Sequence, residues 1–504
     1  MSASKREEED RSRVDGFEIE IFKLVQREAT SEQWKEWLRA PLEHAAAEGN
    51  LNLFTRLMDA GANGKGGWRG CHGRTLLGAA AFGRSEKMVR TLLTGGATDD
   101  VNVLFGGERE SALHVAAARG AEDSCRALMI AGADPNVRDR RHRSPLHVAA
   151  EAGHHRVIGS LLLNKADVHA KMPYQSTPLH LAAAEGQGLC ISELLLGGAD
   201  KDVVDRHDKT PLFRAAANNR LEAVQELLAA GANYSLRTNN NRSPLDIAAS
   251  RGHAGILKAL LDKDSSEVDA TNDHGRAALH FAASVDGPVR DNGDAVRAVL
   301  GAGADVNVKT TDDSCFTPLH LAVNRRIASD GTIRALLEGG ANVHARARRD
   351  QTPLHLACKR SSVTGVELLL RWGADEKLPN NVGKTPAGVL RAWQQGDLDD
   401  EEREADNQRI SRMLARAPAD RSWRRRGWLV LSRSCPTRVQ IANDSSSSSR
   451  ISGNSAKVAR VSGEGSSRDD EETEDQMMVD LRDLVGRLVG LEADSLFRLV
   501  VGFL

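Results

Sequence analysis

Aromatic side chains are scarce: only 4% of the 504 residues are Phe, Tyr or Trp, although 40% are hydrophobic. Any core must therefore be built from Leu, Ala, Val and Ile, a composition suited to closely stacked helices. Cysteine is equally sparse, and the six present (Cys71, Cys125, Cys190, Cys315, Cys358 and Cys435) form no C-x-x-C pair, which excludes the common zinc and redox spacings. Cys125, Cys190 and Cys358 fall where a helix wants a small apolar residue, so they read as reduced, buried thiols of an intracellular chain. Net charge is nearly absent at −2; no global field drives the chain onto nucleic acid or anionic membrane, and any such attraction must be local. No run approaches the roughly 20 apolar residues that span a bilayer. Residues 1–10 are charged and lack the apolar stretch of a secretory signal.

Catalytic spacings are missing as well. There is no H-E-x-x-H, G-x-S-x-G, H-R-D or D-F-G set. The glycine-rich stretch 64–73 contains no G-x-x-x-x-G-K-[ST] and follows no strand pattern, so it reads as an elongated hairpin finger rather than a phosphate cradle. Six of the sixteen histidines, His114, His147, His180, His280, His320 and His355, are spread along the chain and cannot converge on one metal or one nucleophile. These absences predict no catalytic residue, no cofactor and no metal site.

What the chain has is a period. Thr177-Pro178-Leu179 returns as Ser144-Pro145-Leu146, Thr210-Pro211-Leu212 and Ser243-Pro244-Leu245, each 33 residues from the next. Within one unit, Thr177 suits an N-cap and Pro178 the first helical position, where a missing N–H costs nothing. Leu179, Ala182 and Ala183 give a first helix one apolar face, and Gly186 is placed to end it. Leu189, Ile191, Leu194, Leu195 and Leu196 have the spacing of a second helix buried on most sides, stopping at Gly197-Gly198. The polar remainder to Asp208 reads as a turn. A single unit cannot bury its own leucines, whereas stacked neighbours can.

Starts such as Ser111-Ala112-Leu113-His114, Thr177-Pro178-Leu179-His180, Thr317-Pro318-Leu319-His320 and Thr352-Pro353-Leu354-His355 resemble those of the ankyrin repeat. So do ends such as Gly132-Ala133-Asp134, Gly198-Ala199-Asp200, Gly303-Ala304-Asp305 and Gly373-Ala374-Asp375. The resemblance runs from about residue 40 to 395 and implies an all-α solenoid of ten or eleven repeats. Each repeat would comprise a helix-turn-helix and a hairpin finger. It also implies that the recurrent histidine is hydrogen-bonded within its turn, and that finger tips and the exposed side of the first helices line a groove for protein partners. Carried over by position, Arg138, Arg140, Arg141, Tyr174, Arg206, Arg237, Asn239, Arg251, Asn272 and His274 should face that groove. Arg346, Arg348 and Arg349 supply a second basic finger.

Outside the repeats, residues 1–14 and the Ser-rich and acidic stretch 440–475 read as disordered, and 15–39 as an N-terminal helical cap. Residues 396–439 read as a helical cap and extension: Asp397 to Asp406 is an acidic link, and Ile410, Met413 and Leu414 mark a further helix. Residues 476–504 form amphipathic helices on a flexible tail. The expected function is a non-catalytic, monomeric scaffold or adaptor inside the cell, cytoplasmic rather than nuclear. The alternative is a nuclear regulator contacting nucleic acid through the basic fingers and the Trp/Arg segment 422–433. A third reading has the tail helices holding an enzyme.

Overall fold

The computed structural model describes residues 39–59, 74–95, 101–284, 291–324, 329–394 and 403–417. The expected N-terminal cap, the segment 422–433, the linker 440–475 and the tail 476–504 lie outside them. Helices alternate along the chain: α1 (Arg39–Glu48), α2 (Leu51–Asp59), α3 (Leu76–Phe82), α4 (Glu86–Thr94), α5 (Ala112–Arg119), α6 (Glu122–Ile130), α7 (Pro145–Ala152), α8 (His155–Leu163), α9 (Pro178–Glu185), α10 (Gly188–Leu196), α11 (Pro211–Ala217), α12 (Leu221–Ala229), α13 (Pro244–Ser250), α14 (Ala254–Lys263), α15 (Ala278–Ser284), α16 (Gly293–Gly301), α17 (Pro318–Val323), α18 (Asp330–Glu338), α19 (Pro353–Lys359), α20 (Val363–Arg371) and α21 (Pro386–Gln394). A last helix, α22, spans 403–417. The described residues divide into two compact units, one reaching Ala322 and including Gly331–Ala341, the other formed by Val323–Asp330 and the chain from Asn342 onward.

In the first unit the odd-numbered helices α1 to α15 pack on one another in sequence, and so do the even-numbered α4 to α16, giving two layers. Alanine makes the odd layer close: Ala116, Ala149, Ala182, Ala215 and Ala248 are each wholly buried beside Leu113, Leu146, Leu179 and Leu212. The even layer supplies the bulk, with Leu128, Ile158, Leu161, Ile191, Leu194, Val224 and Leu227 inaccessible to solvent. Burial of each such side chain contributes on the order of 2 kcal/mol. The second helices are nevertheless less enclosed than their leucine density predicts. Leu189 is 61% exposed and Leu196 84%, because the even layer has packing partners on its inner face alone.

Helix ends follow from the sequence. The Thr210 and Ser243 hydroxyls accept the N–H of Phe213 and Asp246 at 3.1 Å each, with proline in the first turn. Gly186 closes α9 at φ +82°, in the left-handed region that favours glycine, and a Cβ there would meet the Arg220 side chain.

The recurrent histidine joins one repeat to the next. His180 Nδ1 accepts the Thr177 N–H at 3.2 Å, which assigns the proton to Nε2, and Nε2 donates across to the Lys209 carbonyl at 2.9 Å. His114 meets the Arg143 carbonyl in the same way, His147 that of Ser176, and His280 that of Phe316, at 3.0, 3.3 and 3.1 Å. Burial holds these rings neutral: His147 and His180 are pushed down to about 4 from an ordinary 6.5, outweighing the carbonyl contacts that favour the charged form. His114 and His280 are lowered for the same reason.

In the second unit Thr352 and His355 repeat the device, and His355 Nε2 donates to the Lys384 carbonyl at 3.0 Å. Helix α22 begins at 403, inside the stretch whose acidity suggested a link ending at Asp406. Glu404, Arg409, Arg412 and Arg416 are exposed along it and Arg403 and Asp406 half-buried, while Asn407, Ile410, Leu414 and Ala417 are buried. The Ser361 hydroxyl donates to Asn407 Oδ1 at 2.7 Å, seating the helix beside α20. Among the described residues no helix is long and apolar enough to cross a membrane.

The neutral imidazoles set a pH dependence. Between about pH 6.5 and 4 the unfolded chain binds more protons than the folded one, so stability is complete above 6.5 and falls as pH drops toward 4. Each of His147 and His180 contributes about 1.4 kcal/mol per pH unit in that window. Urea midpoints measured from pH 7.5 to 4.5 should fall steadily, and a His147→Asn/His180→Asn variant should start lower and decline less steeply.

Candidate partner-binding face

Several fingers are tight turns closed by a polar side chain. Asp139 Oδ1 accepts the N–H of Arg141 and of Arg143 at 2.9 and 2.8 Å, while the Asp139 N–H donates to the Arg143 carbonyl at 3.0 Å. Asp205 repeats this with His207 and Lys209, and Asn272 with His274 and Arg276. Thr238 takes the position in the finger between, its N–H donating to the Arg242 carbonyl at 3.0 Å. The fingers are also bonded to one another. Backbone N–H groups of Arg140, Arg206, Asn239 and Thr311 donate to the carbonyls of Glu108, Tyr174, His207 and His274 in the preceding fingers, at 2.7 to 3.3 Å. These four junctions are thus held in register, at about 1 kcal/mol per bond.

The residues expected at the groove divide by what already engages them. Arg140 and Arg141 are exposed; Arg140 Nη1 reaches the Gly107 carbonyl at 3.3 Å and Arg141 pairs with Glu108 at 3.0 Å. Arg138 is half-buried, donating to the His142 carbonyl at 3.0 Å. Tyr174 is 61% exposed, and Arg206, Asn239 and His274 are exposed at their tips. Arg237 turns inward to Asp246, 3.0 Å away, so it ties its finger to α13. Burial pushes the Asp246 carboxyl up despite that partner. Asn272 spends its side-chain oxygen on the turn, and Arg251 donates to the Ala217 carbonyl. Arg346, Arg348 and Arg349 lie in the second unit; all three are exposed, and Arg346 pairs with Asp350 at 3.7 Å.

Sequence reading missed a cavity of about 490 Å³ on this face of the first unit. It lies between the fingers ending at Lys209, Arg242 and Arg276 and the helices α11, α13 and α15, over Phe213, Ile247 and Phe281. Lys209, Arg214, Arg242, Arg251 and Arg276 line it, and among the described residues no carboxylate does. The signal was present in the register: the last residue of three successive fingers is a cation, and Arg251 sits one residue before the Gly252 turn.

Among the described residues no group of His, Cys, Asp and Glu has the arrangement to hold a metal ion. Each repeat histidine described above has both ring nitrogens occupied. The thiols of Cys125 and Cys190 are buried in helices, and burial pushes them up to about 12, far from the range of a nucleophile.

A family model described as ankyrin repeats (3 copies) matches in overlapping segments, 42–139, 113–205, 146–238, 179–272, 212–310 and 279–380. The chain belongs to the ankyrin repeat family. Similar chains include the ankyrin repeat protein nuc-2 of Neurospora crassa, 32% identical over 160 residues, 29% of this chain and 14% of that one. The B-cell lymphoma 3 protein homolog of Mus musculus is 31% identical over 139 residues, 27% and 29% of the two chains. Ankyrin repeat and SOCS box protein 16 of Homo sapiens is 49% identical over 53 residues, 10% and 12%. The chain spans less than a third of the length of each of these relatives. In this ankyrin repeat protein the fold is that of an interaction scaffold, while function rests with the side chains it displays.

Two of these finger turns, at Asp139 and Asp205, are closed by an acid at their base. Asp205 is buried and pairs with Arg214 at 2.5 Å. Burial raises its carboxyl, but the hydrogen bonds from Arg214, His207 and Lys209 outweigh this and hold it below the usual range. Asp205→Asn keeps the turn acceptor and removes the charge, and should cost about 1–3 kcal/mol; Asp205→Ala should cost more, since it frees two N–H groups as well. Denaturation of the two variants against the parent chain checks the order.

Proposed function

We infer that this chain is a non-catalytic intracellular scaffold or adaptor that binds protein partners with its fingers and first helices. One observation carries this reading: fingers of unlike chemistry are locked to a neighbour by backbone hydrogen bonds at four junctions of the first unit, Glu108–Arg140, Tyr174–Arg206, His207–Asn239 and His274–Thr311. A preformed surface of this kind loses little conformational entropy on association. Its exposed tips carry arginine and tyrosine, residue types that dominate interface energetics. The unpaired, buried Cys125, Cys190 and Cys358 support an intracellular setting.

A second surface supports binding too. Ile130, Leu163 and Leu196 are 78%, 87% and 84% exposed and stand one repeat apart at the ends of α6, α8 and α10. Three large apolar side chains in one row are unusual on a surface with no partner.

Affinity capture tests the reading. The full chain, a variant with Arg140, Arg141 and Arg206 changed to glutamate, and a chain lacking 476–504 would be compared from the same lysate. Proteins retained by the full and shortened chains should be lost from the charge-reversed one. Retention by the charge-reversed chain with loss from the shortened one would reassign binding to the tail. Binding to immobilised DNA that weakens steeply with salt, and is lost on neutralising Arg424 to Arg426, would instead select the nucleic-acid alternative.

A further inference from the structure

The fingers 238–242 and 272–276 differ from the finger 139–143 in the charge at their base. In the finger 139–143, Arg143 is held by Asp139 at 2.8 Å and by Glu151 at 3.0 Å, so its charge is satisfied within its own repeat. In the fingers 238–242 and 272–276 the residue equivalent to Asp139 is Thr238 or Asn272. Each still closes the turn through its backbone and side-chain oxygen, but neither brings a negative charge. Arg242 lies over the Phe281 ring at 5.1 Å. Arg276 makes no ion pair among the described residues, and the Nε–H groups of Arg276 and Arg214 are buried without a hydrogen-bond partner. Asp205 pairs with Arg214, and the Asp312 carboxyl feels Arg276.

We propose that this cavity is the binding site for an acidic peptide segment of a protein partner, its carboxylates held by Lys209, Arg242 and Arg276 and an aliphatic side chain resting on Phe213, Ile247 and Phe281. The proposal rests on the scaffold reading and names the chemistry of one part of that surface. Guanidinium forks match planar carboxylates two bonds at a time, and a buried N–H without a partner is costly until a ligand supplies an acceptor. The cations are confined to three successive repeats around a cavity of about 490 Å³ with an apolar floor. That volume takes a few side chains, whereas a nucleic-acid strand asks for an extended row of cations along its phosphates and exposed rings for its bases.

The test uses the full chain and a dye-labelled octapeptide of glutamate with one central leucine, followed by fluorescence anisotropy at physiological ionic strength. The peptide should bind, its glutamine counterpart should bind at least tenfold more weakly, and Arg276→Gln and Lys209→Gln should each raise Kd fivefold or more. Arg297→Gln, on the exposed side of α16, should leave Kd unchanged, and circular dichroism with thermal melting establishes that each variant is folded. Equal binding of the two peptides, or no change in the folded cavity variants, overturns the proposal. Tighter binding of an oligothymidylate of the same charge, lost in those variants, overturns it in favour of single-stranded nucleic acid. If the glutamate peptide is ignored while the Arg140/Arg141/Arg206 variant still loses its captured proteins, the cavity assignment fails and the scaffold reading stands.

Discussion

A buried imidazole that must stay neutral is the tie on which the stack depends. Leucine and alanine burial supplies most of the energy, yet it is non-directional and leaves each helix pair free to slide or rotate on the next. His114, His147, His180 and His280 remove that freedom. Each accepts a hydrogen bond from the N–H that begins its own first helix and donates one to the last carbonyl of the following finger. Helix start, finger end and repeat register are therefore fixed by one side chain. The finger-to-finger backbone bonds then carry the same register outward to the tips.

Most of this was legible in the chain because the determinants are local. Thr-Pro-Leu-His specifies a cap, a first turn, a core contact and a bridge within four residues, and recurs at a constant spacing. Where the sequence misled, the cause lay in what happens between elements. Leu189 and Leu196 look like core by composition, but the even-numbered layer is packed on one side, so its outer leucines stay in solvent. Arg237 looks like a tip residue and is instead drawn to Asp246, because that aspartate stands where other repeats have histidine. The start of α22 looked like a solvated link because its few buried residues are spaced three or four apart among charges.

The cavity was illegible for a related reason. It depends on three side chains from three repeats meeting, and no single repeat advertises it. A comparison by register reveals the pattern: Lys209, Arg242 and Arg276 end successive fingers, while the acid at the base of the finger, present as Asp139 and Asp205, becomes Thr238 and then Asn272. A hydroxyl or amide closes the same turn, so the loss of charge leaves the backbone undisturbed. Shape and charge are separable in this fold, and displayed chemistry can change while the stack persists.

The same two repeats also lack the imidazole tie. Phe213 and Asp246 occupy the histidine position, so no ring reaches the carbonyls of Arg242 and Arg276, the residues whose side chains enter the cavity. The histidine-to-carbonyl bridge of the neighbouring first helices is absent here, and other contacts serve: Phe213 packing, the Arg237–Asp246 pair, the Asn239 N–H to the His207 carbonyl, and His253 Nδ1 to the Ala216 carbonyl at 2.8 Å. An anion held between Lys209, Arg242 and Arg276 would add a further polar link across these junctions. Binding and local stability are then one property of this region: a ligand that prefers the ordered arrangement stabilises it by its own binding free energy. The middle of the first unit is where an acidic partner would be felt as added order, and the histidine-bridged repeats on either side supply the fixed frame against which that order is gained.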